Sequence, residues 1–158
     1  MTDTQHLEAG ALSESDFEDL ASSLIMLSKR IRALFGIALA ENGYYNGQDH
    51  LMMCLAYETS VAVSELAKKL DVRPSTVSKM LDRLYERGLV VRLPDRGDSR
   101  KTLVRLTRDG VQAQRDIRSV WGEVGRSLTP KRQEEAVIVV KQISDLNQVL
   151  HSRLLRYR

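Results

Sequence analysis

A chain of 158 residues, 42% apolar and 28% charged, is long enough to bury a core without staples and ordinary in composition for a folded protein. No apolar run approaches the roughly 18 residues that span a bilayer, and residues 1–20 show neither a basic nor an apolar export region. The single cysteine, Cys54, excludes an internal disulfide and suits a reducing compartment, so a cytoplasmic protein with no membrane partner is expected. The net charge of +3 conceals an asymmetry: residues 1–20 carry six acids and no Lys or Arg, whereas residues 64–108 carry twelve Lys or Arg against six acids. That bias points to a polyanion partner for the middle of the chain, although a charge run is by itself equally well a solvated face.

In chain order, Leu20, Leu24, Leu27, Ile31, Leu34 and Ala38 recur at three- and four-residue steps. They predict a long amphipathic helix over residues 15–40, capped by Ser13 or Ser15 and stopped at Asn42-Gly43. Leu51, Met52, Leu55 and Ala56 predict a second helix over 48–58, and a third is expected over 64–70 with Ser64 as N-cap. Asp71-Val72-Arg73 then makes a turn. Pro74 stands at the first position of a fourth helix, 74–87, whose Val77, Met80, Leu81 and Leu84 face inward and whose end is marked by Gly88 as a left-handed cap. Two β-branched and apolar stretches, 89–93 and 101–107, flank the polar loop 94–100 and read as a β-hairpin. A fifth helix is expected from Thr107 to Leu128. A sixth follows, with Thr129 as N-cap and Pro130 at its first position, carrying Ala136, Val137, Val140, Ile143, Leu146, Val149 and Leu150. The expected class is mainly α with a small β-hairpin wing.

A helix, a three-residue turn, a second helix and a hairpin within residues 64–108 form a helix-turn-helix unit with a wing. The second helix of such a pair enters the major groove of double-stranded DNA and turns its N-terminal side chains to base edges. Here those are Ser75, Thr76, Ser78 and Lys79, with Asp82 and Arg83 one turn later and Ser64 and Arg73 completing the contact set. Ser75 and Thr76 are equally suited to capping. On the hairpin, Arg92, Arg96, Arg100 and Lys101 cluster with Asp98 and Ser99 into a projection that can reach phosphates or a minor groove. Asp98, two residues before Arg100, is spaced to hold its guanidinium through a bidentate ion pair. A charged hairpin also guards a sheet edge against aggregation, but that role does not require nearly all of the charge to be basic.

The segments SELA and STVSKMLDRLYERGLV, a D-S-R step in the wing and V-R-L-T-x-x-G, covering residues 64–110, resemble the core of the MarR family of bacterial transcription regulators. The resemblance implies a winged helix-turn-helix lobe joined to a helical dimerisation lobe. It also implies an obligate homodimer on a pseudo-palindromic operator, usually a repressor released by a small ligand or by thiol oxidation. It makes 74–87 the recognition helix and places Arg100 in the minor groove, oriented by Asp98. The chain then divides into residues 1–44 and 110–158, the two parts of the dimerisation region, and 45–109, the DNA-binding domain. The outer helices agree, because their apolar stripes must cover one another or bury against a second copy. In a two-fold dimer the recognition helices stand about 34 Å apart.

Catalytic chemistry has little support. His6, His50 and His151 fall in different elements without metal-ligand spacing, and no phosphate-binding glycine loop or nucleophile elbow is present. No cofactor is expected. Cys54 is the one redox candidate, and among apolar neighbours it reads equally as core packing. The resemblance also implies an effector pocket between the lobes, for which Arg32, Tyr44, Tyr45, His50 and Met53 are candidates alongside ordinary packing. The competing reading of the whole is a nonspecific or architectural DNA-binding protein without effector control, and a third is an interaction module for an acidic protein.

Overall fold

The computed structural model describes residues 12–156 apart from 96, 99 and 100. Its first helix, α1 (Glu14–Glu41), begins on a capping box: the Ser13 hydroxyl accepts from the Asp16 amide while the Asp16 carboxylate accepts from the Ser13 amide. It ends as the Asn42-Gly43 signal predicts, with Asn42 as C-cap and Gly43 at φ +74°. The Gly43 amide donates to Ala40 and the Tyr44 amide to Leu39, the double bond of a Schellman end.

Short elements follow: α2 (Gln48–Met53), β1 (Val61–Ala62), α3 (Val63–Leu70), α4 (Pro74–Glu86), β2 (Val90–Pro94) and β3 (Thr102–Leu106). Two long helices, α5 (Arg108–Leu128) and α6 (Gln133–Leu155), close the order. The strands form one antiparallel sheet in the order β1-β3-β2, with Val61 opposite Val104, Leu93 opposite Leu103 and Val90 opposite Leu106. Leu51, Met52, Leu66, Val77, Leu81, Leu84, Val104, Leu106 and Ile117 are fully buried in a single core beneath this sheet. Each such side chain contributes about 1.5–3 kcal/mol by leaving water. Among the described residues no helix is long and apolar enough to cross a membrane.

Four expectations need correction. The second helix stops at Met53, five residues before its predicted end, because buried Gln114 on α5 donates to the Met52 and Leu55 carbonyls and takes the chain out of helix. The Ala56 carbonyl then accepts from the Leu106 amide, which feeds the chain into β1, a strand that the sequence reading lacks. Ser64 is not the N-cap of α3. Ala62, still paired in the sheet, holds that position with extended angles, and Ser64 lies within the first turn. Thr129 caps no N-terminus either: its hydroxyl donates to the Gly125 carbonyl at the end of α5, and α6 begins only after Arg132.

The outer helices behave differently from the core. Leu39 is the buried residue of α1 and Ala136 that of α6, while Leu20, Ile37, Val140 and Ile143 are exposed. The apolar stripes of α1 and α6 therefore do not cover one another within the chain.

Candidate nucleic-acid interface

The helix-turn-helix is built by one unusual backbone position. Asp71 adopts φ +55°, the left-handed conformation that Asp tolerates better than most residues, and so ends α3. Arg73 is the extended N-cap of α4 and Pro74 occupies its first position, where the missing amide leaves no bond unmade. Val77, Leu81 and Leu84 fix the inner face of α4 in the core; Ser75, Lys79, Asp82 and Arg83 lie exposed on the opposite side.

Two members of the expected contact set point elsewhere. Thr76 lines a cleft shared with α1, α2, α3 and α5. Asp82 accepts a 2.6 Å ion-paired hydrogen bond from Arg92 on β2, whose guanidinium also reaches the Ser78 carbonyl and sits over the Tyr85 ring. Asp82 and Arg92 thus lock α4 to the wing. The Ser78 hydroxyl donates to the Pro74 carbonyl.

Between the start of α3 and the wing runs a groove of about 380 Å³ lined by Ser64, Ser78, Arg92, Lys101 and Thr102, among others. Ser64 lies in the first turn of α3, where unpaired amides favour a phosphate. Lys101 Nζ is 3.7 Å from the Asp98 carboxylate. Arg96, Ser99 and Arg100 lie outside the described residues, and the expected Asp98–Arg100 pair lies there with them.

The T-x-x-G spacing at the exit of the wing has a physical cause. Thr107 Oγ1 donates to the Gly88 carbonyl at 2.7 Å and accepts from the Gly110 amide at 2.9 Å, so one hydroxyl ties α4's end to α5's start. A Cβ on Gly110 would sit 2.0 Å from the Leu89 carbonyl oxygen, a position that glycine alone can occupy.

Where α1, α2, α3, α4 and α5 meet, a cleft of about 820 Å³ opens, with Ile31, Arg32, Phe35, His50, Lys69, Thr76, Met80 and Trp121 in its walls. Arg32 and His50 are the two expected effector residues that line it; Tyr44, Tyr45 and Met53 do not. Tyr44 is buried with its hydroxyl donating to Asp116, Tyr45 is exposed, and Met53 packs against the core. Asp49, itself buried, accepts from the Gly47 amide and from Trp121 Nε1 at 3.1 Å, and lies 3.3 Å from His50 Nδ1. The Asp49 hydrogen bond is the chief cause of a His50 pKa above the usual histidine value. Burial pushes Asp49 up, but bonds from His50 and Gly47 outweigh it and leave the carboxyl below its usual range. Lys69, Phe35 and Trp121 escaped the sequence reading. Trp121, the chain's only tryptophan, set in a charged helix, was the available signal. Cys54 is the half-buried C-cap of α2, packed against the core.

A helix-turn-helix with a three-stranded wing, flanked by long helices, defines a winged-helix protein with a polar, cationic recognition face. Residues 45–102 match the MarR family. The winged segment is therefore similar to that family. It is 27% identical over 146 residues to the HTH-type transcriptional repressor YetL of Bacillus subtilis, spanning 90% of this chain and 87% of that one. A MarR transcriptional regulator from Methanosarcina mazei shares the fold with a TM-score of 0.70 at 22% identity, over 89% of this chain and 99% of that one. Streptococcus pneumoniae FabT, solved in complex with DNA, shares it at 0.67 and 20% identity, over 86% and 98%. YetL carries the name of a transcriptional repressor and the Methanosarcina protein that of a transcriptional regulator.

Proposed function

We propose that this protein is a sequence-specific DNA-binding transcription regulator, a repressor that acts as a homodimer on a pseudo-palindromic operator. The observation that carries the reading is α4: an inner face fixed in the core and, opposite it, exposed Ser75, Lys79 and Arg83 held at one angle to the wing by the Asp82–Arg92 pair. Short hydroxyl and cationic side chains suit base edges, while Arg73, Lys101 and the wing residues Arg96, Ser99 and Arg100 suit phosphates or the minor groove. Residues 45–109 serve as the DNA-binding domain, and 1–44 and 110–158 as the dimerisation region. The family, YetL's repressor role and the DNA complex of FabT support this reading. A cytoplasmic location follows from such a role.

The interlobe cleft is where we place a small effector. Its apolar walls and its cations Arg32 and Lys69, with Asp49 already bonded, suit a largely apolar molecule bearing a negative group. Thr76 and Met80 of the recognition helix form part of the wall, so an occupant that prefers one setting of α4 shifts DNA affinity by that preference. Cys54 acts as packing.

The test is binding of the full chain to a selected operator duplex and to random duplex at one salt concentration. Specific recognition predicts a ratio of ~10³ or more; less than about tenfold indicates the nonspecific alternative. Lys79→Ala alters the order of preference among sequences. Arg100→Ala weakens binding to all of them and lowers the salt slope by about one unit.

A further inference from the structure

Two helix ends meet outside the DNA-facing surface and the cleft. The end of α1 is the Schellman turn at Gly43-Tyr44. The end of α4 is another: the Gly88 amide donates to Tyr85 and the Leu89 amide to Leu84, with Gly88 at φ +68° and Arg87 as C-cap. Arg87 bridges the two. Its Nη1 donates to the Gly43 carbonyl at 2.7 Å, and its guanidinium carbon lies 4.9 Å from the centroid of the Tyr44 ring. Tyr44 cannot swing away, because its amide is bonded to Leu39, its ring is buried, and its hydroxyl donates to Asp116 on α5 at 3.3 Å. Asp116 is held in turn by Gln112.

The charge logic agrees with the geometry. A helix C-terminus favours a cation, yet α1 has no basic residue in its last turn. Arg87 supplies that cation from the end of a different helix. A single side chain therefore connects the far end of the recognition helix to the helix whose outer face is the proposed dimer surface.

We infer that Arg87 is a positioning residue that sets the angle between α4 and α1 through Gly43 and Tyr44, and with it the half-site spacing that the dimer accepts on DNA. This rests on the two-fold reading above. Without the bridge, α4 keeps its buried inner face, its base-facing side chains and the Thr107 tie at its end, but the winged segment as a unit can shift against the end of α1. The expected loss is one of spacing selectivity, not of half-site preference.

Two measurements on the full chain test it. Selection from a library of random duplexes with the unaltered protein should return paired half-sites at one spacing. With Arg87→Met, which keeps the aliphatic stem but removes the donors, the same half-sites should return at several adjacent spacings, with about tenfold weaker binding to the original duplex. Pulsed electron-spin distances between Ser75→Cys labels in a Cys54→Ser background should give one narrow peak, broadened by Arg87→Met without any DNA present. Unchanged spacing and unchanged peak width overturn the inference. If Arg87→Met lacks a cooperative thermal transition, Arg87→Lys, which retains charge without the planar fork, carries the same test with a smaller broadening. A parent protein that shows no label pair distance overturns the two-fold reading itself, and that is visible before any Arg87 variant is made.

Discussion

The segment from α2 to β3 and the outer helices α1 and α6 carry the same kind of apolar periodicity and meet opposite fates. In the first, Leu66, Val77, Leu81 and Leu84 vanish into a shared core. In the second, eight large apolar side chains on α1 and nine on α6 remain more than a third exposed. Exposed apolar side chains in such number along two helices mark an interaction surface. A pattern of periodicity thus says that a helix has an apolar face, but not whose surface that face will meet. The winged segment completes itself; the outer helices leave their stripes open, and a second copy of the same two stripes fits the two-fold reader proposed above.

The largest effect is expected at the joint between the two regions. Gly110→Ala forces a methyl against the Leu89 carbonyl oxygen, which belongs to the backbone and cannot swing aside. A loss of roughly 4 kcal/mol or more is expected in denaturant unfolding, with DNA binding lost alongside. Next comes the self-sufficient core. Leu81→Ala should cost about 3 kcal/mol, because the site is fully buried in the core.

The same logic reversed applies to α6. Val140→Asp with Ile143→Asp removes exposed residues whose contacts within the chain are few, so the winged lobe should keep its fold and its near-ultraviolet spectrum. The sedimentation mass should nevertheless fall to one chain, and operator affinity should drop by about a hundredfold or more, because each half-site is then bound singly. An unchanged mass would mean that α6 does not form the interface.

The smallest effect concerns the Asp49–His50 pair at the cleft. His50 has a raised pKa in the folded state, so its contribution to stability is complete below the unfolded value of about 6.5 and is lost as pH rises through the folded one. Asp49 has a lowered pKa, so its contribution is present above the unfolded value of about 3.9 and is lost as pH falls through the folded one. The pair therefore stabilises most between about pH 4 and 6.5. In thermal unfolding, His50→Gln should lower Tm more at pH 5.5 than at pH 8.5. An equal loss at both would assign His50 to packing against Trp121, whose ring centroid is 5.2 Å away.

Much of the fold was legible because its signals are local. Ser13, Asn42-Gly43, Pro74, Gly88 and Thr107 act within a few residues of themselves, and each lies where the sequence implied. What escaped depends on distant partners. β1 is two residues long and exists only by pairing with β3, and the end of α2 is set by Gln114, 62 residues from Met52. Thr129-Pro130 reads as a cap followed by a first turn, but the hydroxyl found the carbonyl four residues back. The site divides in the same way. The recognition helix and its exposed Ser75, Lys79 and Arg83 follow from periodicity, whereas Asp82 on Arg92, Thr76 on the cleft and Arg87 on Gly43 are facts of tertiary geometry.

The central claim is that the stripes of α1 and α6 are completed by a second copy, which turns one winged lobe into a two-fold reader. Sedimentation equilibrium of the full chain at low micromolar concentration, alone and with one equivalent of a selected operator duplex, tests it most directly. Completion by a second copy gives the mass of two chains in the absence of DNA and two chains per duplex in its presence. A single chain free in solution, bound singly to the duplex, would contradict it.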